Sequence, residues 1–336
     1  MIRIIVGFML SFVLALILMP FIIRLIRKFS CSQTILKYVE EHKSKQGTPT
    51  MGGVVFFIST LLIVVVMMDY STELAMSIGV GLGFALVGLM DDYIKVKLKQ
   101  NLGLRPYQKI IGQVGISLIL ACYIYFFSPN KGVIYLPFTF KSIDLGVWII
   151  PLVVIVCLAT TNSVNLTDGL DGLAGGVSVI YSGVFITLIS IFANIAFNAG
   201  EVDEFVNLYT NTSTLLAIFM GSIMAFLVFN TNKASIFMGD VGSLGIGGVF
   251  ASTACILGFE FMLAIVGVMF VISALSVIIQ VAYFKKTHGK RILKMAPLHH
   301  HFQMCGYSEA KIGYVYQVIT LMIGLITILL TLCLAI

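Results

Sequence analysis

Charge is what this chain most lacks: only 11% of its 336 residues are Asp, Glu, Lys or Arg, against about 25% in soluble globular domains. With 59% hydrophobic residues and a mean hydropathy of +1.04, a water-soluble domain is excluded. Intrinsic disorder is excluded more firmly still, because it needs low hydrophobicity and high net charge. Cysteine is sparse and unpatterned. Cys31, Cys122, Cys157, Cys255, Cys305 and Cys333 stand singly, most within apolar runs, with no CxxC or other metal-ligand spacing. They read as small buried hydrophobes. There is no internal repeat and no low-complexity stretch, so residues 1–336 read as a single polytopic membrane domain.

What is present is apolar length. Runs able to cross a bilayer, at about 20 residues each, lie near 4–23, 52–68, 74–90, 110–127, 147–161, 171–193, 212–229, 242–258, 261–283 and 312–336. They predict an all-α integral membrane protein with about ten transmembrane helices. The first run lacks a small-residue cleavage site and is closed by Arg24, Arg27 and Lys28, so it reads as an uncleaved anchor. Placing the loops on alternate sides puts 18 of the 21 basic residues on one side. That bias marks the basic side as cytoplasmic, and an even number of spans puts both termini outside. Lys131 to Asp144, with Gly132, Pro137 and alternating apolar residues, is compatible with a small external β-hairpin.

Five aspartates sit at span ends on the cytoplasmic side: Asp91 and Asp92 closing the third span, Asp168 and Asp171 opening the sixth, and Asp240 before the eighth. A carboxylate at a helix centre in the membrane costs about 2.5 kcal/mol or more on insertion scales, so their gathering on one face needs a reason. One aspartate alone reads equally well as a helix cap. The adjacent pair does not, because two like charges at a helix C-terminus oppose each other and the helix dipole. Neighbouring lysines, a divalent cation or both must balance them.

In the stretch Asn165-Leu166-Thr167-Asp168-Gly169-Leu170-Asp171-Gly172, Asp168 and Asp171 are three apart and would share a face at a helix start. The glycines permit a tight turn and close ligand approach. A second polar loop runs from Asn230 through Phe237 and Asp240 to Ser243. Its hard oxygen donors suit Mg²⁺, which takes one or two carboxylates and keeps waters or substrate phosphates. Phe237 could stack a nucleobase or anchor the chain at the interface. Lys43 and Lys45, followed by Gly47-Thr48-Pro49-Thr50-Met51-Gly52-Gly53, could offer lysines and backbone N–H groups to phosphates. Pro297-Leu298-His299-His300-His301-Phe302 cannot turn three histidines onto one metal from a regular helix. Hydrogen bonding to an anion or sugar is preferred there, with zinc beside Cys305 as a minor alternative.

Together these five ordered motifs resemble the phospho-N-acetylmuramoyl-pentapeptide transferases, the MraY family among the polyprenyl-phosphate N-acetylhexosamine-1-phosphate transferases, over essentially the whole chain. The resemblance implies transfer of phospho-N-acetylmuramoyl-pentapeptide from UDP-N-acetylmuramoyl-pentapeptide to undecaprenyl phosphate, giving lipid I and UMP in peptidoglycan biosynthesis. It also implies Mg²⁺ dependence, a bacterial cell-membrane location with the active site facing the cytoplasm, a homodimer, inhibition by uridine-containing compounds and no nucleic-acid partner.

By resemblance, Asp240 would bind the metal, Asp91 or Asp92 would act on the lipid phosphate as base or positioner, and His299 would join them in catalysis. Asn165, Asp168, Asp171, Asn230 and Phe237 would shape the nucleotide pocket, while Lys45, Thr50 and Lys109 would hold phosphates. His300 and His301, with His299, would sit at the sugar phosphate. Direct attack and a two-step route through a covalent aspartyl intermediate both fit. The nearest alternative is transfer of N-acetylglucosamine phosphate to the same lipid for teichoic acid or surface polysaccharide. A metal- or proton-coupled transporter would instead predict acids near the midplane and broken helices.

Overall fold

The computed structural model describes residues 1–28, 47–98, 102–139, 141–198, 203–231 and 233–334. The helices are α1 (Ile2–Lys28), α2 (Val54–Met67), α3 (Thr72–Lys97), α4 (Pro106–Phe126), α5 (Ile149–Thr167), α6 (Leu173–Asn198), α7 (Asp203–Asn230), α8 (Gly239–Leu257), α9 (Glu260–Val266), α10 (Val268–Lys286), α11 (Leu298–Gln303) and α12 (Glu309–Leu334). Between α4 and α5 the strands β1 (Val133–Tyr135) and β2 (Ser142–Asp144) form the expected hairpin, with Ile134 opposite Ile143.

Nine helices among the described residues are long and apolar enough to cross a membrane, which makes this an all-α, multi-pass membrane protein. The departures from the ten expected runs have local causes. The second run yields α2, only 14 residues, which spans about 21 Å at 1.5 Å per residue against a hydrocarbon core of about 30 Å. Gly52 and Gly53 do not extend it because their N–H groups bond the carbonyls of Phe237 (2.9 Å) and Met238 (3.0 Å). The ninth run is divided at Gly267 into α9 and α10. The third run continues past Met90 to Lys97, so Asp91 and Asp92 lie within α3 instead of closing it.

Helix ends follow local chemistry. Ser71 caps α3 by accepting the Leu74 N–H at 3.2 Å, and Pro106 opens α4 at a position where no donor is needed. Inside the bundle, hydroxyls bond the carbonyl one turn back, as Thr161 does to Cys157 and Thr320 to Tyr316, both at 2.8 Å. This removes the penalty for burying a polar group in an apolar setting.

α8 is the axis of the bundle. Every residue from Val241 to Leu257 is buried, with α3 along one side and α5 along another. Its glycines make this approach feasible: a Cβ at Gly247 would meet the Thr161 backbone, and one at Gly248 would press on Phe84 and Gly81. At its far end, Gly258 takes a left-handed φ of 73°. There the hairpin closes over it, with Tyr135 N–H donating to Gly258 O and Asn130 Nδ2 to Ile256 O, each at 2.8 Å. α1 packs on α7, and α6 runs between α7 and α12.

Gly221 tests this packing, because a Cβ there would run into the Phe8 carbonyl oxygen of α1, whereas one at Gly183 meets only Met220 Sδ at 3.9 Å. Gly221→Ala is expected to lower the unfolding midpoint in detergent, by the about 1–3 kcal/mol typical of overpacking, and Gly183→Ala to leave it nearly unchanged.

Candidate active site

Where the near end of α8 meets α3, three carboxylates converge. One carboxylate oxygen from each of Asp91, Asp92 and Asp240 lies within 4.8 Å of the others. Asp240 occupies the first turn of α8, where the helix dipole favours a negative charge. Asp91 and Asp92 come from α3, and Gly88, one turn earlier, permits the approach: a Cβ there would strike the Asp240 backbone carbonyl.

Two lysines hold the carboxylates together. Lys95 Nζ lies 2.6 Å from Asp91 Oδ2, 3.1 Å from Asp240 Oδ2 and 3.9 Å from Asp92 Oδ1. Lys109, from the first turn of α4, reaches Asp240 Oδ2 at 2.8 Å. Backbone and amide donors take further lone pairs. Leu104 N–H donates to Asp91 Oδ1 (2.8 Å), Val241 N–H to Asp92 Oδ2 (3.2 Å) and Asn165 Nδ2 to Asp240 Oδ1 (2.9 Å). Three carboxyl groups face two ammonium groups, and all the potential metal donors are hard oxygens. The cluster could therefore bind a divalent cation. Lys95 was missed from sequence, although its place four residues after Asp91 on one helix was the signal.

The turn between α5 and α6 forms the next wall. Asp168 and Asp171 do not open a helix as expected: Asp168 caps α5, α6 begins at Leu173, and Gly172 between them has φ 70°. Asp171 Oδ2 accepts the Ala234 N–H at 3.1 Å. Asn230, fully within the protein, accepts the Gly172 N–H and donates to Ile236 O, each at 2.9 Å. Both residues thus tie the 168–172 turn to the loop that leads into α8. Phe237 is half-buried, and its N–H donates to Pro49 O at 2.8 Å. Thr50 is buried against Gly239. Lys45, expected at the phosphates, lies outside the described residues.

The three histidines divide. His299 and His300 both turn their Nε2 atoms to Gly169, close enough that a Cβ there would meet each of them. His301 faces its own loop, accepting the Lys294 N–H at 3.1 Å with Cys305 Sγ at 3.9 Å from its Nε2. His299 is fully buried and its ring nitrogens have no hydrogen-bond partner. Burial first, then neighbouring His300, push it down to about 3, so the ring is neutral. Asp168 is pushed up to about 7, by burial first and then by the charges of Asp240 and Asp171.

A multi-pass membrane protein with acids and lysines gathered at one edge of its bundle has the makings of an enzyme that handles phosphates at a membrane surface. Residues 74–258 match the model of glycosyl transferase family 4, and residues 45–57 match signature 1 of phospho-N-acetylmuramoyl-pentapeptide-transferase. A Clostridioides difficile phospho-N-acetylmuramoyl-pentapeptide-transferase is 38% identical over 322 residues, covering 96% of this chain and 95% of the relative. Relatives of the same name from Clostridium botulinum (42% over 323 residues, covering 95% and 94%) and Bacillus licheniformis (40% over 331 residues, covering 97% and 95%) agree. The chain belongs to glycosyl transferase family 4 and, within it, to the phospho-N-acetylmuramoyl-pentapeptide-transferases.

The elevated value of Asp168 has a measurable sign. A carboxyl raised from 3.8 to about 7 holds its proton more tightly in the folded chain than in the unfolded one. The stabilisation this gives is complete below the unfolded value and is lost as pH rises through the folded one. With divalent cations chelated, the gain in unfolding midpoint of Asp168→Asn over wild type should therefore grow as pH rises from 3.8 to about 7 and level off above that.

Proposed function

We propose that this chain transfers phospho-N-acetylmuramoyl-pentapeptide from its UDP carrier to undecaprenyl phosphate, forming lipid I and UMP. The observation that carries this reading is the carboxylate–lysine cluster at one edge of a membrane bundle whose relatives bear that name. An oxygen of the lipid phosphate attacks the sugar-bearing phosphorus of the donor. The bond to the uridine-bearing phosphate breaks, and UMP leaves with that electron pair. Several negative charges must meet, so catalysis is chiefly positioning and neutralisation.

In this reading Lys109 and Lys95 face the donor diphosphate, and Asn165 and Asp168 border the nucleotide with Phe237. Asp240, with Asp91 and Asp92 beside it, would hold Mg²⁺. When bound, that ion supplies charge neutralisation at the diphosphate. Asp92 is the carboxylate we assign to the lipid phosphate, because its Oδ1 has the loosest hold, with Lys95 3.9 Å away. Neutral His299, with His300, offers ring nitrogens to the sugar phosphate. Asp171, Asn230 and Thr50 keep the two loops in place.

We also propose a one-domain chain in a bacterial cell membrane, active as a homodimer, with the short α2 as a tenth crossing and both termini therefore outside, the cluster facing the cytoplasm and susceptibility to uridine-containing inhibitors. The distribution of basic residues supports the orientation.

Asp240→Asn should cut transfer by roughly two orders of magnitude or more, since it removes a charged ligand and the anchor of both lysines. Asp92→Asn should lower turnover while leaving donor affinity unchanged. A radiolabelled transfer assay paired with donor-binding calorimetry checks both. The same assay offered UDP-N-acetylglucosamine should show little transfer; efficient use of that donor would favour the teichoic-acid alternative.

Topology is checked by thiol labelling in a background free of native cysteines. Ser235 and Asp144 are both exposed. Ser235→Cys should react with a membrane-impermeant reagent only in inside-out vesicles, and Asp144→Cys only in right-side-out ones.

A further inference from the structure

Sharing no residue with the carboxylate cluster, a recess of about 280 Å³ opens between α11 and the first turns of α12. Its walls are Phe302, Tyr307, Lys311, Ile312, Val315 and Tyr316. The floor is the ring of Tyr316, 1% exposed, whose hydroxyl is buried on the side of Ser273 in α10. The rim carries the exposed Lys311, its ammonium 4.8 Å from the centroid of the Tyr307 ring. Among the described residues, no acidic side chain lines the recess.

The recess is one side chain away from the reaction. The Tyr316 ring centroid lies 6.4 Å from that of His299, and His299 in turn abuts Gly169, next to Asp168. A diphosphate would not settle in the recess, because one cation among apolar walls cannot offset its charges. A small apolar group ending in a carboxylate would, its alkyl part against Ile312 and Val315 and its charge at Lys311. The exposed Lys290, Arg291 and Lys294, on the segment between α10 and α11, add positive potential on the same approach.

We propose that this recess receives the carboxylate-bearing part of the donor's peptide, which makes Lys311 a specificity-determining residue. The assignment rests on the donor proposed above. Two features favour a peptide: charge complementarity, and contact through His299 with the place assigned to the sugar phosphate. At about 280 Å³ the recess is slightly smaller than the roughly 300–1,000 Å³ usual for whole small-molecule sites, so it takes part of the peptide and leaves the rest in solvent.

The test compares two donors on the full-length enzyme in nanodiscs with saturating undecaprenyl phosphate: UDP-N-acetylmuramoyl-pentapeptide, and the same nucleotide sugar without its peptide. Lys311→Gln should raise KM for the pentapeptide donor about tenfold, as for loss of one charge-assisted hydrogen bond, with kcat unchanged. The peptide-free donor should be unaffected within about twofold, and Lys311→Arg should restore most of the loss. Val315→Trp, which fills the recess from the rim, should act like Lys311→Gln. An equal change in KM for both donors overturns the assignment. So does an effect that follows the fraction of anionic phospholipid in the nanodisc and not the donor, which would make the recess a lipid site. If the reaction itself were wrongly assigned, wild type would transfer from neither donor, a result distinct from any of these.

Discussion

Three carboxylates sharing two ammonium groups, inside a bundle with little other charge, are the constraint around which this protein is arranged. Each acid would be expensive to bury alone. Together, with Leu104 N–H, Val241 N–H and Asn165 supplying donors, they form a network in which each partner is needed by another. The network demands that α3 and α8 nearly touch, and Gly88 on α3 meets that demand next to the Asp240 carbonyl. It also demands that α4 begin where Lys109 can turn inward, which the proline-started first turn provides.

A second layer of polar residues serves the backbone. Asp171 and Asn230 fasten the α5–α6 turn to the loop before α8, and Pro49, Gly52 and Gly53 lace the entry to α2 onto Phe237 and Met238. Three loops distant in sequence thereby form one platform, with Asp168 close enough to Asp240 to feel its charge. The same chemistry, an amide or a carboxylate in a glycine-bearing loop, thus performs two jobs within a few residues. The acid that shapes electrostatics and the acid that fastens a loop differ only in what lies opposite.

That distinction marks the limit of what the chain discloses unfolded. The apolar runs located the helices because lipid exposure leaves no alternative to long hydrophobic stretches. The acids announced themselves because charge is so rare here. Hydropathy ended the third run at Met90, yet the helix runs on to Lys97, since nothing in Asp91, Asp92 or Lys95 breaks a helix at a membrane edge. Asp168 and Asp171 were read on a helix start from their spacing, whereas the left-handed Gly172 makes that segment a turn. Nor could the sequence separate His299 and His300 from His301, because only the packing of α11 against Gly169 sends the first two one way and the third another.

The enclosure of α8 also bears on how the molecule is made. A helix with no face left for lipid must be received by neighbours already in place, and α3, α5 and α7 all precede it along the chain. Until it arrives, Asp91 and Asp92 have Lys95 for company but no Asp240, and the two loops have nothing to close upon. Catalytic competence is therefore a late event in biogenesis. A chain halted before its eighth helix carries most of the membrane-spanning mass but lacks Asp240, on which both lysines converge.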